Sequence, residues 1–308
     1  MKGVIYKSTG SWYIVKGEDG KMYNARIKGV LKIDGITSTN PVAVGDNVLM
    51  QMENEGAQSV MIDTILQRVN YIARQSPGHK MQHHIVAANL DQSFLIATLR
   101  DPRTSQGFID RFLVSSEAYH IPAVIVFNKS DLYRPKEMDK FHALKEMYVA
   151  IGYRVLLMSA ATGDGVEELL ELMANKTTLF SGHSGVGKSS LINRLLPELN
   201  LKTRDVSGWS GKGLHTTTFA EMFDLPGGGR FIDTPGMREF GIVDIQKSEL
   251  SHYFPEMRVL IHNCQFNNCA HINEPGCAVK SAVESGQINV ERYVSYYNIY
   301  ESITERHY

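Results

Sequence analysis

Eight residues, Gly182-His183-Ser184-Gly185-Val186-Gly187-Lys188-Ser189, restrict what this 308-residue chain can fold into more than any other stretch. They fit Gly-x-x-x-x-Gly-Lys-Ser/Thr, a loop whose glycines let successive backbone N–H groups wrap a phosphate chain. Such a loop works between a strand and a helix N-terminus, where the helix dipole favours anions. The flanks comply: Thr177–Phe180 reads as a strand and Ser190–Leu196 as a helix. Lys188 is then the residue that reaches the β- and γ-phosphates in a catalytic role, and Ser189 a Mg²⁺ ligand. Downstream, the short strand Arg230–Ile232 runs into Asp233-Thr234-Pro235-Gly236. A carboxylate at a strand end can hold Mg²⁺ through water, and the Gly236 N–H can meet the γ-phosphate.

The base is written on the other side of this loop. Asn128-Lys129-Ser130-Asp131 follows the apolar run Ala123–Phe127, and Ser159-Ala160 follows Arg154–Met158. Asp131 can accept from the ring N–H and exocyclic amine of guanine, whereas adenine would leave a buried carboxylate unpaired. Sites built this way discriminate by roughly 10⁴. The stem of Lys129 can lie over the base, Asn128 can tie neighbouring loops together, and a Ser159-Ala160 backbone N–H can meet the guanine carbonyl. These residues favour GTP over the main rival, a P-loop ATPase or kinase. The motif order is base, phosphate, magnesium, where ordinary GTPases run phosphate, magnesium, base. That is a circular permutation, and it joins the switch strands directly to whatever follows them. Nucleotide state could then move the C-terminal part.

Around these motifs, Ser93–Thr98, Ala123–Phe127, Arg154–Met158 and Thr177–Phe180 alternate with helical spacings at Phe108–Tyr119, Lys136–Ile151 and Val166–Ala174. This rhythm predicts a parallel sheet covered by helices. Residues 1 to about 68 read differently. Ser11–Val15, Met22–Ile27 and Ser59–Leu66 are short β-rich runs with Asp19-Gly20 as a hairpin signal, which predicts a small barrel with the OB type as one option. Gln75–His84, with Pro77-Gly78, reads as a polar linker. The expected fold is multidomain, β plus α/β: an OB-type barrel over 1–70, a circularly permuted P-loop GTPase domain over 71–240, and a zinc-binding, helical C-terminal module over 241–308.

Net charge is −1, so any nucleic-acid binding needs a local basic face. Lys21, Arg26, Lys28, Lys32, Arg68 and Arg74 are the candidates. No apolar run approaches the roughly 18 residues of a membrane span, and the first residues lack a secretory leader's apolar stretch. A cytoplasmic protein with no membrane partner is expected, with a monomer as the default.

Residues 202–218 form a polar, glycine-rich stretch ending in His215-Thr216-Thr217-Thr218. One threonine should ligate Mg²⁺ in the GTP state; spacing favours Thr217, although β-propensity would also place threonines before a strand. Many GTPases orient the attacking water with glutamine just after the Asp-x-x-Gly box. Met237 stands there and cannot. His215 is the nearest polar group in the switch for that catalytic role, the competing reading being a surface histidine.

All three cysteines fall in Cys264-x4-Cys269-x-His271-x5-Cys277. Three thiolates and one imidazole make a closed tetrahedral Zn²⁺ site, structural because no position remains for water.

The permuted motif order followed by this Cys/His spacing resembles the RsgA (YjeQ) family, bacterial GTPases dependent on the small ribosomal subunit. The resemblance spans essentially the whole chain. It implies late maturation of the small subunit, binding to that subunit and its rRNA, and GTP hydrolysis stimulated by it. It also extends the nucleotide-binding set over Asn128–Asp131 and Gly182–Ser190, so that Ser190 is included, and gives His215 the place of a switch histidine. Leu214 departs from the arginine expected before His215, and Gly185 stands where potassium-activated relatives carry asparagine. The competing function is a guanine-sensing RNA-binding module with negligible turnover, which Met237 favours.

Overall fold

The computed structural model describes residues 1–10, 12–27, 41–53, 59–76, 79–199, 220–234 and 245–303. Its N-terminal strands are β1 (Lys2–Ser8), β2 (Tyr13–Gly17), β3 (Met22–Ile27), β4 (Asn47–Met52) and β5 (Ser59–Ile65). They run in the order β1-β2-β3-β5-β4, and β4 returns to pair with β1, so the five close into the expected OB-type barrel. Alternation builds its interior: Ile5, Tyr13, Val15, Tyr23, Ala25, Val48, Met50, Val60 and Ile62 point inward and are buried.

Next come β6 (Tyr71–Ser76) and β7 (His79–Ala88), an antiparallel pair. This corrects the polar linker expected over Gln75–His84. Ile72 of β6 and Ile85 to Ala88 of β7 are buried, and Ile72 pairs with Ala87, so they anchor the open end of the hairpin. The polar stretch beyond it is carried by backbone pairing, so it lacks the hydrophobic alternation that marks a half-buried strand.

The central layer follows with β8 (Gln92–Ala97), α1 (Gln106–Ala118), β9 (Ala123–Phe127), α2 (Pro135–Ile151), β10 (Arg154–Leu157), α3 (Val166–Met173), β11 (Thr177–Ser181), α4 (Lys188–Leu195), β12 (Glu221–Asp224) and β13 (Arg230–Asp233). The sheet order is β10-β9-β8-β11-β13-β12, parallel except for β12. Both faces are covered, which is why β8 and β11 are buried along their whole length, with Phe94–Ala97 and Leu179–Phe180 as their apolar parts. Leu95, Ala97, Ile125 and Phe127 pack with Ile109 and Phe112 of α1 and Phe141 and Leu144 of α2. Phe94, Ile96, Val124 and Val126 pack the opposite way, with Leu169 of α3 and Leu191 of α4.

Because the parallel strands point one way, their C-terminal ends share one edge, and the loops leaving them meet there whatever their order along the chain. Ala97 is level with Phe127, Phe127 with Leu157, and Phe180 with Asp233. A circular permutation therefore leaves the site intact.

Edge strand β12 also pairs with β1, joining barrel and central layer into one 11-stranded sheet. The C-terminal module packs short helical turns, Lys247–Tyr253 and Ile261–Asn263, with α5 (Pro255–Arg258), α6 (Ala278–Glu284) and α7 (Val290–Ser302). Its own core contains Leu250, Phe254, Met257, Val279 and Tyr296, and reaches Val114 of α1.

Candidate functional site

Strand β11 delivers the chain into the phosphate loop, where Gly182, Gly185 and Gly187 all have positive φ. Side chains are excluded by more than backbone strain. A Cβ on Gly182 would strike the Ile96 carbonyl oxygen, and one on Gly187 would strike Asn128 Nδ2. Lys188 Nζ folds back over the loop, donating to the carbonyl of Gly182 and to that of His183 at 3.3 Å. Burial lowers the pKa of its ammonium, while the facing Asp233 opposes the shift. Ser189 and Ser190 occupy the first turn of α4, half-buried beside the loop, and Ser184 and Gly185 are exposed.

Asp233 ends β13. Burial raises its carboxyl pKa against the pull of Lys188, and its buried Oδ1 has no hydrogen-bond partner among the described residues. An orphaned carboxylate oxygen opposite the first turn of α4 is the chemistry that a water-coordinated hard cation satisfies. Thr217, His215 and Gly236 lie outside the described residues.

The base-reading loops are bound to the phosphate loop through one side chain. Asn128 is 1% exposed. Its Nδ2 donates to the Val186 carbonyl at 2.8 Å, and its Oδ1 accepts from the Ala160 N–H at 2.9 Å. Lys129 takes a left-handed conformation, φ 65°, which turns Asp131 towards the Ser159 loop. Ser159 Oγ donates to Asp131 Oδ1 at 2.5 Å, while Asp131 itself stays exposed. Ser130 supplies its backbone N–H to the Met158 carbonyl at 3.1 Å. All the described members of the motif set thus gather along one edge of the sheet.

Five further residues carried no motif. Tyr133 Oη donates to the Asn128 carbonyl at 2.7 Å. Arg194, on α4, donates to the carbonyls of Ala160 and Ala161, each at 2.7 Å, binding the base loop to the phosphate helix. Residues 98–104 cover the phosphate loop: Thr104 Oγ1 lies 2.8 Å from His183 Nε2, and Phe108 meets the same imidazole edge-on with centroids 5.4 Å apart. Within this segment Asp101 offers its carbonyl to Lys129 Nζ at 2.5 Å. The position of residues 98–104 after a buried strand of the parallel sheet was the one signal available for them.

The second cluster is Cys264, Cys269, His271 and Cys277, whose ligand atoms all lie within 4.8 Å of one another. His271 Nδ1 is 3.6 Å from Cys264 Sγ and 3.4 Å from Cys277 Sγ. Zn–S and Zn–N bonds of about 2.3 and 2.0 Å give tetrahedral edges of about 3.5 Å, so the donor set fits such an ion. The loop is held from outside. Glu274 accepts from the N–H groups of Ala270, Ile272 and Asn273. Burial acts against its ionisation, yet those bonds hold its carboxyl below the usual range. Tyr293 and Tyr296 of α7 donate to the carbonyls of His271 and Ala270, each at 2.7 Å.

The basic candidates divide. Arg26 is exposed and lies over the Trp12 ring, 3.8 Å from its centroid, and Lys21 is exposed. Arg68 is a structural residue instead: it forks onto both carboxylate oxygens of buried Asp46, at 2.6 and 2.7 Å, and onto the Pro41 carbonyl. Lys28, Lys32 and the Arg74 side chain lie outside the described residues.

A model of the RsgA GTPase family matches residues 65–243, and one of the RsgA N-terminal domain matches residues 2–60. The chain belongs to the RsgA GTPase family. A small ribosomal subunit biogenesis GTPase RsgA from Cytophaga hutchinsonii is 52% identical over 307 residues, covering 99% of this chain and 100% of its own. Its counterpart from Bacteroides fragilis is 49% identical over 308 residues, covering 100% and 99%. Among solved structures, YjeQ from Thermotoga maritima superposes with a TM-score of 0.80 at 34% identity, over 99% of both chains. YloQ, described as a circularly permuted GTPase, gives 0.76 at 32% identity, over 99% of this chain and 96% of its own. RsgA membership carries GTP hydrolysis with Mg²⁺ as the nucleotide's counter-ion. Among the described residues no helix is long and apolar enough to cross a membrane.

Proposed function

We propose that the chain binds the small ribosomal subunit and its rRNA, acts in late maturation of that subunit, and hydrolyses GTP to GDP and phosphate under its stimulation. The observation that carries the nucleotide half is Asn128. Bonded to both Val186 and Ala160, it makes the guanine box and the phosphate loop one rigid object. The ribosomal half is supported by the names of relatives alike over the whole chain.

In this reading Asp131 recognises the guanine edge, Lys129 covers the base, and the N–H groups of Gly182–Ser190 hold the phosphates. Lys188 leaves the Gly182 and His183 carbonyls to neutralise the β- and γ-phosphates. Ser189 and Asp233, joined by Thr217, would hold Mg²⁺, which would supply neutralisation of the phosphate charge. His215 is the proposed orienter of the attacking water, and Gly236 the N–H on the γ-phosphate. The four cysteine and histidine ligands hold one structural Zn²⁺ in the C-terminal module. We take 1–70, 71–240 and 241–308 as the three functional units, in a cytoplasmic monomer.

The test is GTP hydrolysis with and without purified small subunits, with large subunits and ATP as controls. Stimulation by small subunits alone is expected. Tight GTP binding with no stimulation would replace this function with the guanine-sensing module that Met237 favours.

A further inference from the structure

The barrel reaches the magnesium carboxylate across three neighbouring strands. Lys7 of β1 is level with Glu221 of β12, and Glu221 is level with Asp233 of β13. Residues directly opposed in neighbouring strands project to the same face, with Cβ atoms about 4.5–5.5 Å apart. Lys7, Glu221 and Asp233 therefore form one row, and Lys7 Nζ closes on Glu221 Oε2 at 2.8 Å.

The position of this row is fixed from below and from behind. Phe223, Phe231, Phe180 and Phe94 stack across the same face, with successive centroids 5.2, 5.0 and 6.0 Å apart. On the other face Tyr6 Oη and Lys16 Nζ both donate to Asp224 at 2.6 Å, fastening β12 to the barrel. A bulge between Ile5 and Lys7 breaks the β1–β2 register there. Bulges re-aim side chains, and this one lies where β1 leaves the barrel for the central sheet.

A half-exposed ion pair contributes little to stability, so energy alone gives no reason for a lysine here. Charge does. Asp233 has a second carboxylate as its cross-strand neighbour, and without Lys7 that carboxylate would be free to face the cation and the phosphates.

We propose that Lys7 is a positioning residue for the nucleotide site: it engages Glu221 and keeps a second negative charge away from Asp233 and the Mg²⁺-bound phosphates. The barrel thus takes part in setting the metal requirement of the GTPase. This rests on the Mg²⁺–GTP reading given above.

The test uses the full chain and a fluorescent N-methylanthraniloyl derivative of guanosine 5′-(β,γ-imido)triphosphate. Affinity is measured in EDTA and then across a Mg²⁺ titration, for wild type, Lys7→Met, Lys7→Arg and Lys7→Met/Glu221→Gln. With Lys7→Met, the freed carboxylate repels phosphate and attracts the cation. Metal-free affinity is expected to fall and the Mg²⁺ midpoint to move to lower concentration, each by roughly three- to tenfold for one unpaired charge in partly screened surroundings. Lys7→Arg and the double variant should return both quantities to within about twofold of wild type. A purely structural role would weaken nucleotide and metal binding together, and the double variant would not recover. That outcome, or no change in Lys7→Met, overturns the proposal. A wild-type chain that holds the analogue with no Mg²⁺ dependence would overturn the Mg²⁺–GTP reading itself.

Discussion

Arg292 of α7 donates through Nη1 to Asp110 of α1 at 2.6 Å, and neither side chain is exposed to solvent. The same guanidinium forks onto Glu256 at 2.7 and 3.2 Å and lies over the Phe254 ring, while Tyr148 Oη donates to the same Asp110 oxygen at 2.7 Å. The C-terminal module is thus bolted to a helix whose first turn touches His183 of the phosphate loop. Removing one partner strands the other charges in the interior, which costs about 3–5 kcal/mol. Arg292→Met should lower the unfolding temperature and give a separate early transition for the C-terminal module in calorimetry. Arg292→Lys should rescue only part, because an ammonium cannot fork onto Glu256. A single unshifted transition in Arg292→Met would refute this account of the junction.

Asn128→Ala removes two buried hydrogen bonds and leaves the Val186 carbonyl and the Ala160 N–H unsatisfied. Each such group costs about 1–3 kcal/mol. GDP and GTP affinities should fall by roughly two orders of magnitude, read by equilibrium binding of a fluorescent guanine nucleotide. An affinity within a few-fold of wild type would show that the loops hold each other without this residue.

Asp131→Asn exchanges an acceptor for an amide. Its N–H₂ would face the exocyclic amine of guanine, whereas xanthine presents a carbonyl at that position. Guanine-nucleotide affinity should drop at least a hundredfold, the scale expected when a buried polar pair is mismatched. Xanthosine triphosphate should bind more tightly than GTP. Competition binding with the two triphosphates decides it, and an unchanged preference for GTP would move base recognition to another residue.

The sequence revealed the site where chemistry demands particular residues at strand ends, and the parallel sheet assembled those ends at one edge. Asn128, Asp131, Ser159, the glycine loop and Asp233 were legible for that reason. Arg194, Tyr133 and Thr104 were not: Arg194 and Tyr133 act on backbone carbonyls, which any residue can offer, and Thr104 acts on an imidazole far away in sequence. The Asp110–Arg292 pair spans 182 positions and has no local signature at all. Across β6 and β7, polar composition concealed a hairpin held at its apolar open end. Arg68 looked like any basic surface residue until the fold brought Asp46 against it.

Asp224 gives the barrel contact a pH dependence. Burial acts to raise its carboxyl, but the bonds from Lys16 and Tyr6 outweigh that and hold it below its ordinary value. A carboxyl depressed in the folded state contributes stability that is fully present above the unfolded pKa, about 3.9, and is lost as pH falls through the lower folded value. Asp224→Asn should therefore lower the unfolding temperature at pH 7, and the gap to wild type should close as pH drops below about 4. A gap of constant size down to pH 3 would mean that the charge of Asp224 contributes nothing to the contact.

The cysteine–histidine cluster makes the last prediction. Burial pushes the Cys269 thiol up to about 12, so ionising the sulfurs together at neutral pH requires a cation to offset the lost hydration. Chain purified without chelator should carry one Zn²⁺, and exchange for Co²⁺ should give the visible d–d bands of a tetrahedral thiolate site. Cys277→Ser removes a buried ligand whose Sγ also accepts from the Lys280 N–H at 3.4 Å, at the start of α6. That variant should lose the metal and, in hydrogen exchange, lose amide protection across Ala278–Ser302. Protection in β8, β9 and β11 should survive, since their core is built from α1 to α4. Substoichiometric metal, or full protection of α6 and α7 in the metal-free chain, would leave the cluster without its structural role.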